Sequence, residues 1–247
     1  MNHPTKRSVL ITGAGSGIGE ATAKAFANAY ARVLVQDVDA ARVERVVGEL
    51  TSAGHDASGC VCSVTNEEAL RAAVEAAGGV DILINNAGVP GFNASIEEID
   101  YAAYQRLYDI HVWGCFAATR AVLPEMKERR FGRIVNIASN RGQVGFERSS
   151  HYASAKAASI GLAKSWAREL APHGILVNAL APGVVRSAMT LGYGEEALHD
   201  EAQTNLVKRW AEPEEIAAWL VFVTGPDGGF MTGQVLTPNG GDPIVGI

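Results

Sequence analysis

The chain has 247 residues, 47% hydrophobic and 19% charged, within reach of one large α/β unit and with apolar material for a sizeable core. Its formal net charge is −6 and its Lys and Arg are scattered, which excludes the clustered cations that nucleic acid or an anionic membrane surface requires. No apolar run approaches the ~18 residues that span a bilayer, and "MNHPTKRSVLITG" enters a strand-like run without a signal-peptide layout, so a soluble cytoplasmic protein is expected.

In chain order, "SVLITG", "RVLVQD", "SGCVCSV", "VDILINN", "GRIVNIAS", "ILVNALAP" and "GQVLTPNGG" read as strands rich in Val, Ile and Leu. Between them, Ala-rich segments at 17–29, 39–53, 66–77, 102–130, 151–171 and 212–224 carry helical spacing. Strands that are apolar on both faces and separated by helices predict a parallel sheet covered on both sides. No linker, repeat or low-complexity stretch divides the chain, so one domain is expected over 1–247. Of the three cysteines, Cys60 and Cys62 alternate on a strand without a second pair. Reduced thiols are therefore expected, and no metal site.

The first strand runs into "TGAGSGIGEATAKAFA", where Gly13, Gly17 and Gly19 stand between strand and helix. That placement suits a tight turn, close backbone approach to a pyrophosphate, and a helix N-terminus aimed at its charge. Asp37, at the end of the second strand, can accept hydrogen bonds from ribose hydroxyls and would repel a 2′-phosphate. Neither Ser16 nor Val38 is basic, so NAD is favoured over NADP. The alternative is an Asp that serves only as a turn residue or as a cap for the next helix.

Further along, Tyr152 and Lys156 stand four apart on a helical pattern and share one face. A nearby ammonium favours a phenolate, which would suit proton transfer. Ser139 ends a strand, where ligands bind in an open parallel sheet. Its hydroxyl either donates to a substrate oxygen or caps the following turn. His111 lies in the aliphatic run "QRLYDIHVWGCFAATRA" and reads either as a core residue or as part of a site.

Together, "TGAGSGIG", Asp37, "NNAG", Ser139, "YASAK", "NALAPGVVRS" and "PNGG", in this order, resemble the short-chain dehydrogenase/reductase superfamily nearly end to end. The resemblance implies a doubly wound, Rossmann-type, seven-stranded parallel sheet with helices on both faces. It implies an oxidoreductase that transfers a hydride between NAD(H) and a secondary alcohol or ketone, with Tyr152 as general acid/base and Ser139 orienting the substrate oxygen. Lys156 would hold the nicotinamide ribose and lower the tyrosine pKa. Cofactor contacts are implied for Gly13, Ser16, Gly17, Ile18, Gly19 and Asp37, for Asn86 on the adenosine side, and for Val185 and Ser187 at the nicotinamide. A 3-oxoacyl thioester reductase, or a catalytically impaired dinucleotide-binding regulator, are the alternatives.

Two positions depart from the family pattern. Ser63-Val64 stands where an Asp-Val often meets the adenine; Ser63 can still hydrogen-bond there. His111 occupies a position where many members carry an asparagine that supports a water chain to the lysine, so it is counted with the catalytic candidates. Residues 186–210 are expected to form a mobile, partly helical lid over a small-molecule substrate, with Met189, Leu191 and Tyr193 either lining a pocket or packing the lid. Arg141, Arg148 and Arg186 either meet an anionic substrate or are solvated. Apolar surface on 102–130 and 151–171, with the C-terminal "DPIVGI", points to a homotetramer.

Overall fold

In the computed structural model, residues 7–29, 31–91 and 93–244 are described; positions 1–6 and the end of the apolar C-terminal run, 245–247, lie outside them. Seven parallel strands form one sheet: β1 (Ser8–Thr12), β2 (Arg32–Asp37), β3 (Ala57–Val61), β4 (Ile82–Asn85), β5 (Gly132–Ile137), β6 (Ile175–Leu180) and β7 (Val235–Leu236). Their spatial order is β3-β2-β1-β4-β5-β6-β7. The chain therefore reverses direction across the sheet between β1 and β4, and the crevice at such a switch point is where open α/β sheets bind ligands.

Alternation along each strand feeds two cores. Val9, Ile11, Val33 and Val35 face one side with α1 (Gly17–Asn28), α2 (Ala40–Ser52) and α10 (Pro213–Thr224). Leu10, Leu34, Leu83 and Ile134 face the other, against α3 (Glu67–Ala76), α5 (Gly114–Arg129) and α7 (Ser150–Leu170). The doubly wound sheet expected from the sequence is the fold observed.

Two expected boundaries change. The stretch 102–130 is not one regular helix but α4 (Tyr101–Tyr108), a π-helical turn at Asp109–Trp113, and α5. A π turn inserts an extra residue and re-aims the side chains that follow, a device common at functional sites. Its buried residue is His111. In "GQVLTPNGG" only Val235–Leu236 pair with β6, because Pro238 has no amide to extend the ladder. Among the described residues, no helix is long and apolar enough to cross a membrane.

Candidate active site

The turn after β1 is held by side chains from three strands. Gly13 has φ +65° and donates its amide to Gln36 Oε1 at 3.1 Å. Asn86 Nδ2 donates to the carbonyls of Thr12 (2.9 Å) and Gly13 (3.1 Å), while Thr12 Oγ1 accepts from the amides of Asn86 and Ala87, both at 3.0 Å. A Cβ on Gly19 would run into the Gly13 carbonyl and stand 2.6 Å from Asn86 Nδ2. Only a side-chain-free residue lets the start of α1 come this close to the turn.

Asp37 Oδ2 accepts from the Gly15 amide at 3.0 Å and Oδ1 from the Asp39 amide at 3.1 Å. It braces the turn, but it is not the cap of α2: Asp39 is, accepting from the Ala41 and Arg42 amides at 3.0 and 3.2 Å. The chain neighbours of Asp37 are not basic, yet the fold brings two arginines from α2 to this place. Arg42 packs its Cβ against Gly15, and Arg45 donates to the Gly15 carbonyl at 3.0 Å. Both are paired, Arg42 with Asp39 (3.2 Å) and Arg45 with Glu20 (2.6 Å) and Glu49 (2.9 Å).

The remaining cofactor candidates border this cradle in different ways. Ser16 is the N-cap residue of α1 without a side-chain cap bond, and Ile18 packs against the core. Gly17 approaches Ser187. Ser63 Oγ is 2.8 Å from Thr65 Oγ1, and Val64 is buried against Gly114. Val185 is buried, bridged to Ala211, and its carbonyl accepts from Thr190 Oγ1 at 2.7 Å. Ser187 caps the short helix α8 (Ala188–Leu191) through a reciprocal bond with Thr190. The glycine-rich turn, with the first amides of α1 beside it, fits a dinucleotide pyrophosphate.

Across the sheet, Tyr152 and Lys156 lie one turn apart on α7, and Ser139 follows β5. The Lys156 ammonium donates to the Ile137 carbonyl at 2.8 Å and stands 5.7 Å from the Tyr152 ring centroid. Burial pushes the Lys156 pKa down to about 8. Burial pushes the Tyr152 phenol up, opposed by the Arg141 charge and a hydrogen bond with Ser139. The lowering expected from Lys156 is therefore not seen here: desolvation outweighs the neighbouring charges, and the lysine is turned to a backbone carbonyl.

His111 is 2% exposed, and its Nε2 lies 3.1 Å from the Val89 amide and 2.9 Å from the Val89 carbonyl. The tautomer decides which bond forms. Its ring meets the Tyr152 ring edge-on, centroids 5.5 Å apart, and Nδ1 has no hydrogen-bond partner among the described residues. Burial, then the Lys156 charge, pulls its pKa down to about 3. The core and site readings thus both apply: the residue is buried and stands against Tyr152.

A cavity of about 690 Å³ opens beside these groups, lined among others by Ser139, Arg141, Phe146, Tyr152, Met189 and Tyr193. The segment 186–210 supplies α8 and α9 (Glu195–Thr204) to its wall. Tyr193 donates its hydroxyl to the Gly91 carbonyl at 2.8 Å. Leu191, expected beside Met189 and Tyr193, is not part of the lining. Each arginine of interest faces an acid: Arg141 meets Glu201 at 3.0 Å, Arg148 meets Glu98 at 2.9 Å, and Arg186 meets Glu195 at 3.9 Å. Arg141 and Arg148 line the cavity and Arg186 does not; the Arg141 guanidinium stands 4.0 Å over the Phe146 ring. Sequence reading missed Gln36, Glu201 and the two α2 arginines; only Gln36, a polar residue inside an apolar strand, left a signal there.

The chain matches the short chain dehydrogenase family over residues 7–197 and belongs to that family. It is 37% identical over 95% of its length to the (2S)-[(R)-hydroxy(phenyl)methyl]succinyl-CoA dehydrogenase subunit BbsD of Thauera aromatica, 96% of which is covered. A 3-oxoacyl-[acyl-carrier protein] reductase of Brucella melitensis with bound NAD has a similar structure, with TM-score 0.88, 36% identity, and 96% and 91% of the two chains covered. So has a putative NAD(P) dependent gluconate 5-dehydrogenase of Beutenbergia cavernae with bound NADP, at TM-score 0.89, 33% identity and 95% and 96% coverage. The chain is an oxidoreductase of the kind that transfers a hydride between a nicotinamide dinucleotide and a CH–OH group or its ketone.

Proposed function

We propose that the protein is an NAD-dependent dehydrogenase/reductase of a small secondary alcohol or ketone, one domain over 1–247, working as a cytoplasmic homotetramer. The observation that carries the chemistry is the grouping of Ser139, Tyr152 and Lys156: the first two line the cavity and interact, and Lys156 stands one turn along α7 from Tyr152. When bound, NAD supplies the hydride acceptor, or NADH the donor. Tyr152 Oη takes the alcohol proton in oxidation and returns it in reduction. Ser139 Oγ holds the substrate oxygen beside it, and Lys156 would hold the nicotinamide ribose. His111 acts as a positioning residue, its Nε2 pinned on Val89 and its Nδ1 left to hold a water near Lys156.

Asp37, fixed by two amides, supports NAD over NADP, since a 2′-phosphate would meet a buried carboxylate. The α2 arginines offer that phosphate little, because acids already engage them. Gly13, Ser16, Gly17, Ile18 and Gly19 would cradle the pyrophosphate, Asn86, Ser63 and Val64 the adenosine side, and Val185 and Ser187 the nicotinamide. Residues 186–210 would act as the lid. Exposed Trp113 stacked on Phe116 supports pairing through α5, and three free cysteines support a reducing compartment. The apolar wall of Val144, Phe146 and Met189 also favours a second reading, a 3-oxoacyl thioester substrate. A dinucleotide-sensing regulator would have no need of the Ser139, Tyr152 and Lys156 grouping.

Fluorescence titration with NADH and NADPH tests the cofactor. NADH should bind at least about tenfold more tightly, Asp37→Ala should narrow the gap, and equal dissociation constants would overturn the preference. A panel of secondary alcohols and 3-oxoacyl thioesters, followed by nicotinamide absorbance, separates the readings; turnover of none favours the regulator.

A further inference from the structure

Cys60 and Cys62 lie away from the cavity, at the end of β3. Residues two apart on a strand share a face, and here the two Sγ atoms come within 3.5 Å. Cys60 is buried, while Cys62, one residue past the strand, is half-buried. Gln36 joins this pair to the glycine turn. Its Nε2 donates to the Cys62 carbonyl at 2.7 Å and lies 4.0 Å from Cys62 Sγ, and its Oε1 accepts from the Gly13 amide. One side-chain amide thus spans from the backbone of Cys62 to the first residue of the cradle.

The chemistry of the pair is polarised. The bond with Cys62 and burial push the Cys60 thiol up, while the same bond and Gln36 pull Cys62 down. The bond between the two thiols thus favours proton loss from the more accessible sulfur, the arrangement of a reactive cysteine with a resolving partner.

We propose that Cys60 and Cys62 form a dithiol site for peroxide-class oxidants, and that its closure as a disulfide weakens dinucleotide binding through Gln36. The Cys62 thiolate attacks one peroxide oxygen: the S–O bond forms, the O–O bond breaks, and hydroxide leaves as sulfur loses two electrons. Cys60 sulfur then attacks Cys62: the S–S bond forms, the S–O bond breaks, and the Cys60 proton leaves with the departing hydroxide as water. The hydroxide released in the first step takes up the proton that Cys62 lost on ionising, so two thiols and one hydrogen peroxide give one disulfide and two waters, and an added thiol reverses the state. Closure draws the backbone at Cys62 toward Cys60, and the Cys62 carbonyl is the group that holds Gln36. The coupling rests on the glycine turn being the dinucleotide cradle; the dithiol does not.

The test uses the whole protein and hydrogen peroxide, with thiols counted after denaturation and NADH affinity read by fluorescence. The three free thiols should fall to one, Cys115. The NADH dissociation constant should rise about fivefold, the effect of losing one hydrogen bond, and a thiol reductant should restore both. Cys60→Ala and Cys62→Ala should each block the paired loss and hold NADH affinity constant through the treatment. Three thiols surviving peroxide, an unchanged NADH affinity after two are lost, or a variant that responds as the parent does would overturn the proposal. If the reduced protein binds no NADH, the cradle reading fails and takes the coupling with it, while the thiol count still decides the dithiol.

Discussion

The turn after β1 and the segment 186–210 approach each other at Gly17 and Ser187 and are built by different physics. In the turn, buried or half-buried side chains of Thr12, Gln36, Asp37 and Asn86 bind backbone groups, and a Cβ at Gly19 has no room. In the segment, short helices are tied down at part-exposed positions by Tyr193 to Gly91, Arg141 to Glu201 and Arg186 to Glu195. Orphaning a buried hydrogen-bonding group costs about 1–3 kcal/mol, whereas an exposed ion pair contributes about 0–1 kcal/mol. The turn is thus the costlier of the two to disturb, and the segment 186–210 the cheaper. The relatives fit this contrast, since they share the fold while their names give different substrates.

The sharpest test lies between the two regions. Tyr152→Phe should lower kcat by ~10²–10⁴-fold, the usual contribution of a general acid/base, while the NADH dissociation constant stays nearly unchanged. Retention of more than about a tenth of the activity would remove the tyrosine from its role.

Next in size is the acid response of His111. Its folded pKa of about 3 lies below the unfolded value of ~6.5, so the unfolded state binds more protons between these limits. Stability should therefore fall as pH drops through about 6.5 and past 3, by on the order of 5 kcal/mol in all. Melting temperatures of His111→Asn across that window should follow a flatter curve. At neutral pH this variant should keep its activity, and His111→Leu should lose kcat/KM far more than melting temperature. Full activity in His111→Leu would leave the residue as core filling.

Gly19→Ala breaks the rigid side of the comparison. Its Cβ must displace the Gly13 carbonyl or Asn86, and overpacking of this kind costs about 1–3 kcal/mol. NADH affinity should fall by roughly 10–100-fold, together with the melting temperature. The smallest effect is expected in the segment: Glu201→Gln should change KM by no more than about fivefold and leave kcat alone. A loss of NADH affinity in that variant would mean the two regions are not separable.

Local order determined what the sequence alone could show. Short runs rich in Val, Ile and Leu marked the seven strands, and one-turn spacing put Tyr152 and Lys156 on one face of α7. The glycine spacing marked the turn, because a close backbone approach needs consecutive small residues at one place in the chain. The π turn under His111 was not legible, since its neighbours Ile110 and Val112 fit a regular helix equally well. Nor was the brace of Gln36 on Gly13, the placing of Arg42 and Arg45 at Gly15, or the pairing of Arg141 with Glu201. Those contacts join residues tens of positions apart, and periodicity carries no record of distance across a sheet. Tertiary structure also set the sign at Tyr152: the sequence placed a cation beside the phenol, but burial, which only packing creates, proved the larger effect.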